Sequence, residues 1–327
     1  MSTPSTFVVI KKCLYFQAGI GISGNSCLLF FYICTFLQDQ RRKATDLATC
    51  HLAFVHIMML LISVDFFSPD MFESRSVEND FKCKALFYTH RVMRGLSICT
   101  TCLLSVLQAV TISPSSSCLA KGKQKFTSHT VRALFFFWSL NLTFSSKMII
   151  YAVTYTNVTQ TNILKLSKHC SLLRMSATVR ALLLTLTFSR DVVFVGLMLI
   201  FSAYMVSLLC RHQRTSQNLR RTSVTPRISP VKRVTHNILL LLSFFVGMYW
   251  VDLLMSSFLT MLWVSDPVVL SFNRLVVNVY AILSPLVLIN SDKRMINILR
   301  NIKWKCRQFL TSSCHQLNNS RNVELAI

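Results

Sequence analysis

Charge is scarce in this chain, and acid is scarcest. Only 14% of its 327 residues are charged, where an ordinary soluble domain carries about 25%. Asp and Glu number 12 against 35 Lys and Arg, a formal net charge of +23. Together with 52% hydrophobic residues and a mean hydropathy of +0.49, the deficit identifies a membrane protein. The basic residues stand in blocks between apolar runs, as they do when they face headgroups and cytosol, so nucleic acid is not the partner. Glycine and proline number seven each. A transporter built on broken helices would carry more of both inside its spans, and Pro285 is the only proline well inside one. The last apolar run has no deep lysine for a retinal Schiff base. No metal-ligand spacing and no nucleophile with base and orienter are visible, so neither an enzyme nor a cofactor is expected. "MSTPSTFVVIKK" lacks a basic region before an apolar core, so the first apolar helix is expected to target the membrane itself.

What is present in quantity is apolar run. A spanning helix needs about 20 mostly apolar residues, and seven segments qualify: about Cys13 to Leu37, Leu47 to Val64, Lys84 to Pro114, Val131 to Val153, Val192 to Cys210, Ile238 to Val264 and Val268 to Asn290. The second opens after Thr45-Asp46, a plausible N-cap, and the fourth is interrupted by Asn141 and Lys147. This predicts an all-α membrane protein, a seven-transmembrane helix bundle over 13–290. Residues 1–12 form the outer N-terminus and 291–327 a cytoplasmic tail.

Orientation follows from the short loops, where Lys and Arg favour the inside. With the N-terminus outside, Arg41, Arg42, Lys43, Lys121, Lys123, Lys125, the cluster from Arg211 to Arg233 and the tail cations all lie inside, while Asp65, Asp70, Glu73, Glu78 and Asp80 lie outside. Lys11-Lys12 and Lys165, Lys168, Arg174 and Arg180 oppose this. The sequon Asn157-Val158-Thr159 falls in an outer segment and is a glycosylation site. A second sequon at Asn141 lies within a span and should stay unmodified. Of 12 cysteines most are in apolar runs; Cys83 and Cys170 lie in outward polar segments, where an oxidising compartment would let them pair. In the tail, Met295, Leu299, Ile302, Cys306 and Phe309 recur at helical spacing with Lys293, Arg300, Lys303 and Arg307 on other faces. That pattern suits an amphipathic helix on the lipid surface.

Ionisable groups at bilayer depth are functional candidates. Arg94 lies roughly 16 Å along its helix from Cys83, with His90 and Arg91 one turn above. Asp252 is in the sixth span and Arg274 near the outer start of the seventh. These five would line an outer cavity with excess positive charge, suited to an anionic or strongly hydrogen-bonding small ligand. Equally, Asp252 would pair with Arg94, Arg274 or Lys147 to hold helices together. Asn25, His51, His56, Gln108 and Asn278 read as interhelical hydrogen-bonding groups, Gly19, Gly21 and Gly24 as close-packing positions, and Tyr249-Trp250 as a core pair.

The segment "RGLSICTTCLLSVLQAVTISP" resembles the third-helix signature of vomeronasal type 1 receptors, a family of G-protein-coupled receptors without Asp-Arg-Tyr, here Gln108-Ala109-Val110. "DLATCHLAFVHIMMLL", "YMVSLLCRHQ", "SPVKRVTHNILLLLSFFVGMYWVD" and "VVNVYAILSPLVLIN" are similar to its other helices in order. Val231 departs from the acid more usual after Ser-Pro, and Ser284-Pro285-Leu286 from the Asn-Pro-x-x-Tyr of common receptors. The resemblance implies a plasma-membrane chemosensory receptor for a pheromone-like small molecule, some such cues being steroid-like and sulfated, acting through an inhibitory-class heterotrimeric G protein. Ser229-Pro230 would start helix six, and Lys232, Arg233 and His236 beyond it, with Gln108 of helix three, would be the G-protein contacts. The alternatives are a bitter-taste-type receptor or a small-solute transporter.

Overall fold

The computed structural model describes residues 4–38, 43–65, 76–113, 126–146, 152–154, 163–165, 170–173, 176–219, 243–255, 257–258, 267–292 and parts of 294–308. Of the strands and of Cys83 the backbone alone is described. The helices are α1 (Pro4–Gln38), α2 (Ala44–Asp65), α3 (Ser76–Ile112), α4 (Phe126–Ser145), α5 (Ala177–Leu219), α6 (Ser243–Met255) and α7 (Pro267–Ser291). Five of them are long and apolar enough to cross a membrane: α1, α2, α3, α5 and α7. The chain divides into two units, Met1–Pro285 and Leu286–Ile327.

Within the first unit α3 is the hub. It packs on α2, α4 and α5, while α1 packs on α2, and α3 is the most buried of the candidate spans. Large apolar side chains such as Phe16, Phe30, Leu37, Phe135, Phe136, Ile200 and Leu254 point outward instead. In water such a surface would aggregate; in lipid it costs nothing. Many hydroxyls on these helices are satisfied locally. Ser23, Thr35, Thr49, Ser63, Thr101, Ser105, Thr111, Thr185 and Ser202 each donate to the carbonyl four residues back, as a medium without water requires.

Several predicted boundaries move. α1 starts at Pro4, so Lys11-Lys12 lie inside the helix and not ahead of it, with the Lys11 ammonium 5.7 Å from the Tyr15 ring centroid one turn on. Asp46 is not an N-cap but sits buried in the first turn of α2, where its N–H donates to the Lys43 carbonyl. α4 runs from Phe126 only to Ser145, and what was read as its end is a strand. α5 starts at Ala177, well before Val192, because hydropathy drops at Arg190-Asp191 although the helix continues through them.

The all-helical expectation omits a small sheet between α4 and α5. Strands β1 (Ala152–Thr154), β2 (Ile163–Lys165) and β3 (Cys170–Leu173) form an antiparallel sheet in the order β1-β3-β2. Thr154 pairs with Cys170, and β1 packs on α3. In the second unit Met295 is buried, and Arg294 pairs with Asp292 at 3.0 Å; Leu299, Ile302, Cys306 and Phe309 of the predicted amphipathic face lie outside the described residues.

Candidate functional site: a buried ionic cluster on the third helix

One face of α3 carries cations into the bundle. Arg94 Nε donates to Asp252 Oδ2 of α6 at 2.6 Å, and its Nη2 stands 3.6 Å from Asp191 Oδ2 of α5. Asp191 is held by its neighbour. Arg190 donates from Nε at 2.8 Å and from Nη2 at 2.6 Å to the same oxygen, Asp191 Oδ1, and from Nη1 at 2.8 Å to Asn141 Oδ1 of α4. Asp191 Oδ2 has no hydrogen-bond partner. One turn before Arg94, Arg91 Nη2 donates to Thr187 Oγ1 of α5 at 2.6 Å. His90 lies within electrostatic reach of Arg274, Arg94 and Arg91.

Each carboxylate of this cluster is nearly inaccessible, Asp191 and Asp252 both being 1% exposed. A bare carboxylate in that position would be very costly, so each needs its guanidinium. Among the described residues named here, three arginines (Arg91, Arg94 and Arg190) surround two aspartates, with Arg274 within electrostatic reach of His90 beside them, which leaves the region with excess positive charge. Gly95 makes the crowding possible: a Cβ there would overlap Asn141 Oδ1 and come within 2.8 Å of Arg190 Nη1.

A second polar layer lies one turn along. Thr101 Oγ1 gives its proton to the Ser97 carbonyl at 2.8 Å, so Tyr249 Oη of α6 must donate to Thr101 Oγ1 at 3.2 Å. Ser97 Oγ then donates to Tyr249 Oη at 3.0 Å and accepts from His56 Nε2 at 2.8 Å, while Ser284 Oγ of α7 hydrogen-bonds His56 Nδ1 at 2.9 Å. These hydrogen bonds link α2, α3, α6 and α7 through His56. The His56 and Tyr249 rings flank Tyr280 at 5.5 and 4.9 Å between centroids. His51 plays a similar part between α2, α3 and α4, accepting from Trp138 Nε1 at 2.9 Å and bonding Thr100 Oγ1 through Nδ1 at 3.0 Å.

Of the predicted ligand-binding residues, the structure therefore brings Arg94 and Asp252 into an ion pair and sets His90, Arg91 and Arg274 around it. Of the three partners considered for Asp252, Lys147 lies outside the described residues. Sequence reading leaves Arg190, Asp191 and Thr187 out of the cluster because it starts the fifth span at Val192, and it takes Asn141 only as an interruption of the fourth. The apolar run Ala181–Phe188 just before Arg190-Asp191 was the signal that the pair is embedded and not flanking.

The interhelical assignments divide. Asn25, His51, His56 and Asn278 do bridge helices, the Asn278 side-chain amide standing 3.3 Å from Ser63 Oγ. Gln108 Oε1 has no hydrogen-bond partner. Gly21 and Gly24 face Leu60 and Pro285 closely, but Gly19 has nothing within 4 Å. Tyr249 is core at 1% exposure, whereas Trp250 is exposed. At the far end of α3, fully buried Ala109 packs on Met205 with Ile112, Phe201 and Tyr204, so position 109 has no room for an arginine. Lys232, Arg233, His236 and Asn157 lie outside the described residues, as do the side chains of Cys83 and Cys170.

The same order of helices and motifs recurs in known proteins. Residues 8–301 match the model of the vomeronasal organ pheromone receptor family. The chain belongs to this family. Vomeronasal type-1 receptor 90 of Rattus norvegicus is 42% identical over 90% of this chain and 95% of its own length. Vomeronasal type-1 receptor 45 of Mus musculus is 40% identical over 89% of this chain and 91% of its own. The family match makes the protein a multi-pass membrane chemosensor of the G-protein-coupled type and not an enzyme, and it displaces the bitter-taste and transporter alternatives.

Proposed function

We propose that the protein is a seven-span plasma-membrane receptor, N-terminus outside and C-terminus in the cytosol, that binds a small anionic or steroid-like chemosignal at the ionic cluster. The observation that carries this reading is the excess of buried and part-buried arginine where α3, α5 and α6 meet, with Arg91 hydrogen-bonded to the uncharged Thr187. Sulfate and carboxylate groups are bound well by guanidinium forks in a water-poor site. Arg91, Arg94, His90, Arg274 and Asp252 would line the ligand's polar end.

At the opposite end of the bundle, Gln108, Lys232, Arg233 and His236 would contact an inhibitory-class G protein, and the tail helix would lie on the inner lipid leaflet. On the outer side a Cys83–Cys170 disulfide would tie the small sheet to α3. Its support is backbone placement: β3 begins at Cys170, and its partner strand β1 packs on the helix that carries Cys83. Asn157 would carry a glycan.

Nucleotide exchange on a co-expressed inhibitory-class G protein tests this, in cells whose N-terminal tag is read without permeabilisation. A panel of neutral and sulfated steroids should activate the wild type, the sulfated members more strongly. Silence with the tag outside would remove the ligand class; a tag seen only after permeabilisation would overturn the orientation.

A further inference from the structure

Arg94 stands between two carboxylates on different helices, ion-paired with both and hydrogen-bonded to only one. The contact to Asp252 on α6 is made at 2.6 Å, while Asp191 on α5 waits at 3.6 Å with Oδ2 lacking any hydrogen bond. A buried acceptor left unmade is costly and calls for an explanation. Asp191 is also unusually well prepared to receive a cation, because Arg190 and Asn141 fix its position from the other side. The gap is small enough for the guanidinium to close by a rotamer adjustment, without sliding either helix.

We propose that Asp191 is a positioning residue for activation: it is the second seat of Arg94, which leaves Asp252 for Asp191 when the receptor is switched. The inference rests on the reading of the cluster as the ligand site. A ligand shifts a two-state equilibrium only by its differential affinity for the two states. A bare Asp252 is costly, and that cost holds the unliganded receptor in the first state. An anion arriving at Arg91 and Arg94 competes with Asp252 for the guanidinium, and Asp191, whose charge Arg190 already offsets, is where Arg94 turns when it lets go.

The choice of seat is a choice of which helix α3 is tied to. In one state α3 is bound to α6 by two rungs, Arg94–Asp252 and, one turn on, Ser97 and Thr101 with Tyr249. In the other the ionic rung is gone, and strain on the remaining one passes through Ser97 and His56 to Ser284 of α7. The signal thus reaches α2 and α7 along hydrogen bonds already in place.

The test is ligand-free and ligand-stimulated nucleotide exchange by the full-length receptor, each variant normalised to surface tag. Asp252→Asn empties the first seat and should raise ligand-free exchange several-fold. Asp191→Glu, one methylene longer, brings its carboxylate onto Arg94 and should raise it too, a gain that misfolding cannot produce. Asp191→Asn should flatten the maximal response to a sulfated steroid. Wild-type ligand-free exchange in surface-displayed Asp191→Glu, or a full steroid response in Asp191→Asn, would overturn the seat exchange. The ligand-free arm decides this even where the steroid panel is silent, and that silence counts against the ligand reading alone.

Discussion

Pro285 has no N–H to give the carbonyl of Ala281, four residues back in α7, and in lipid no water replaces it. Asn25 of α1, fully buried, supplies the missing donor: its Nδ2 lies 2.8 Å from the Ala281 oxygen and 2.7 Å from that of Gly21. Gly24, next to it, leaves space for the proline ring, since a Cβ there would meet Pro285 Cγ at 3.1 Å. Two adjacent residues of α1 thus answer one distant proline of α7. Asn25→Leu removes the donor and leaves the carbonyl bare, so thermal unfolding of the detergent-solubilised receptor should shift down by the equivalent of about 1–3 kcal/mol; an unchanged midpoint would contradict the assignment. Gly95→Ala forces its methyl into Asn141 and Arg190, and should largely abolish surface display.

At the scale of elements, the ionic cluster binds α3 to α5 and α6 and, through Arg190, α5 to α4. Removing one member of a buried pair typically costs about 3–5 kcal/mol, whereas replacing both by apolar residues is often neutral. Arg94→Leu should therefore lower surface display sharply and Arg94→Leu/Asp252→Leu should recover much of it, as flow cytometry of the tag would show. For the sheet, Cys83→Ala and Cys170→Ala should reduce display to a similar extent, and the double variant should be no worse than either. Losses that add would mean the cysteines act separately. The sequence made these helices legible wherever the apolar run was long. α2, α3 and α7 lie close to where hydropathy puts them. It failed where polarity is satisfied internally, at Arg190-Asp191 in α5, since a charge offset by a neighbour looks to a hydropathy reading like the end of a span. The short strands escaped because three or four residues carry too little pattern to separate from loop.

For the molecule as a whole, membership of the vomeronasal pheromone receptor family and apolar helices around a polar, buried α3 account for a membrane chemosensor. Arg94 and Asp252 were legible as a possible pair because isolated charges in apolar runs are conspicuous; their third partner was not, since only the folded bundle brings α5 to α3. The absent Asp-Arg-Tyr is explained by packing, with Ala109 filling the contact with Met205. The central claim is that arginines of α3 hold the chemosignal's anionic end. Its most direct test is equilibrium binding of a labelled sulfated steroid to the purified receptor and to Arg91→Ala, a change that breaks no ion pair of the cluster. Loss of a charge-assisted hydrogen bond of about 1.5–3 kcal/mol predicts affinity weakened about tenfold or more in the variant. Equal affinity in the two proteins would contradict the account.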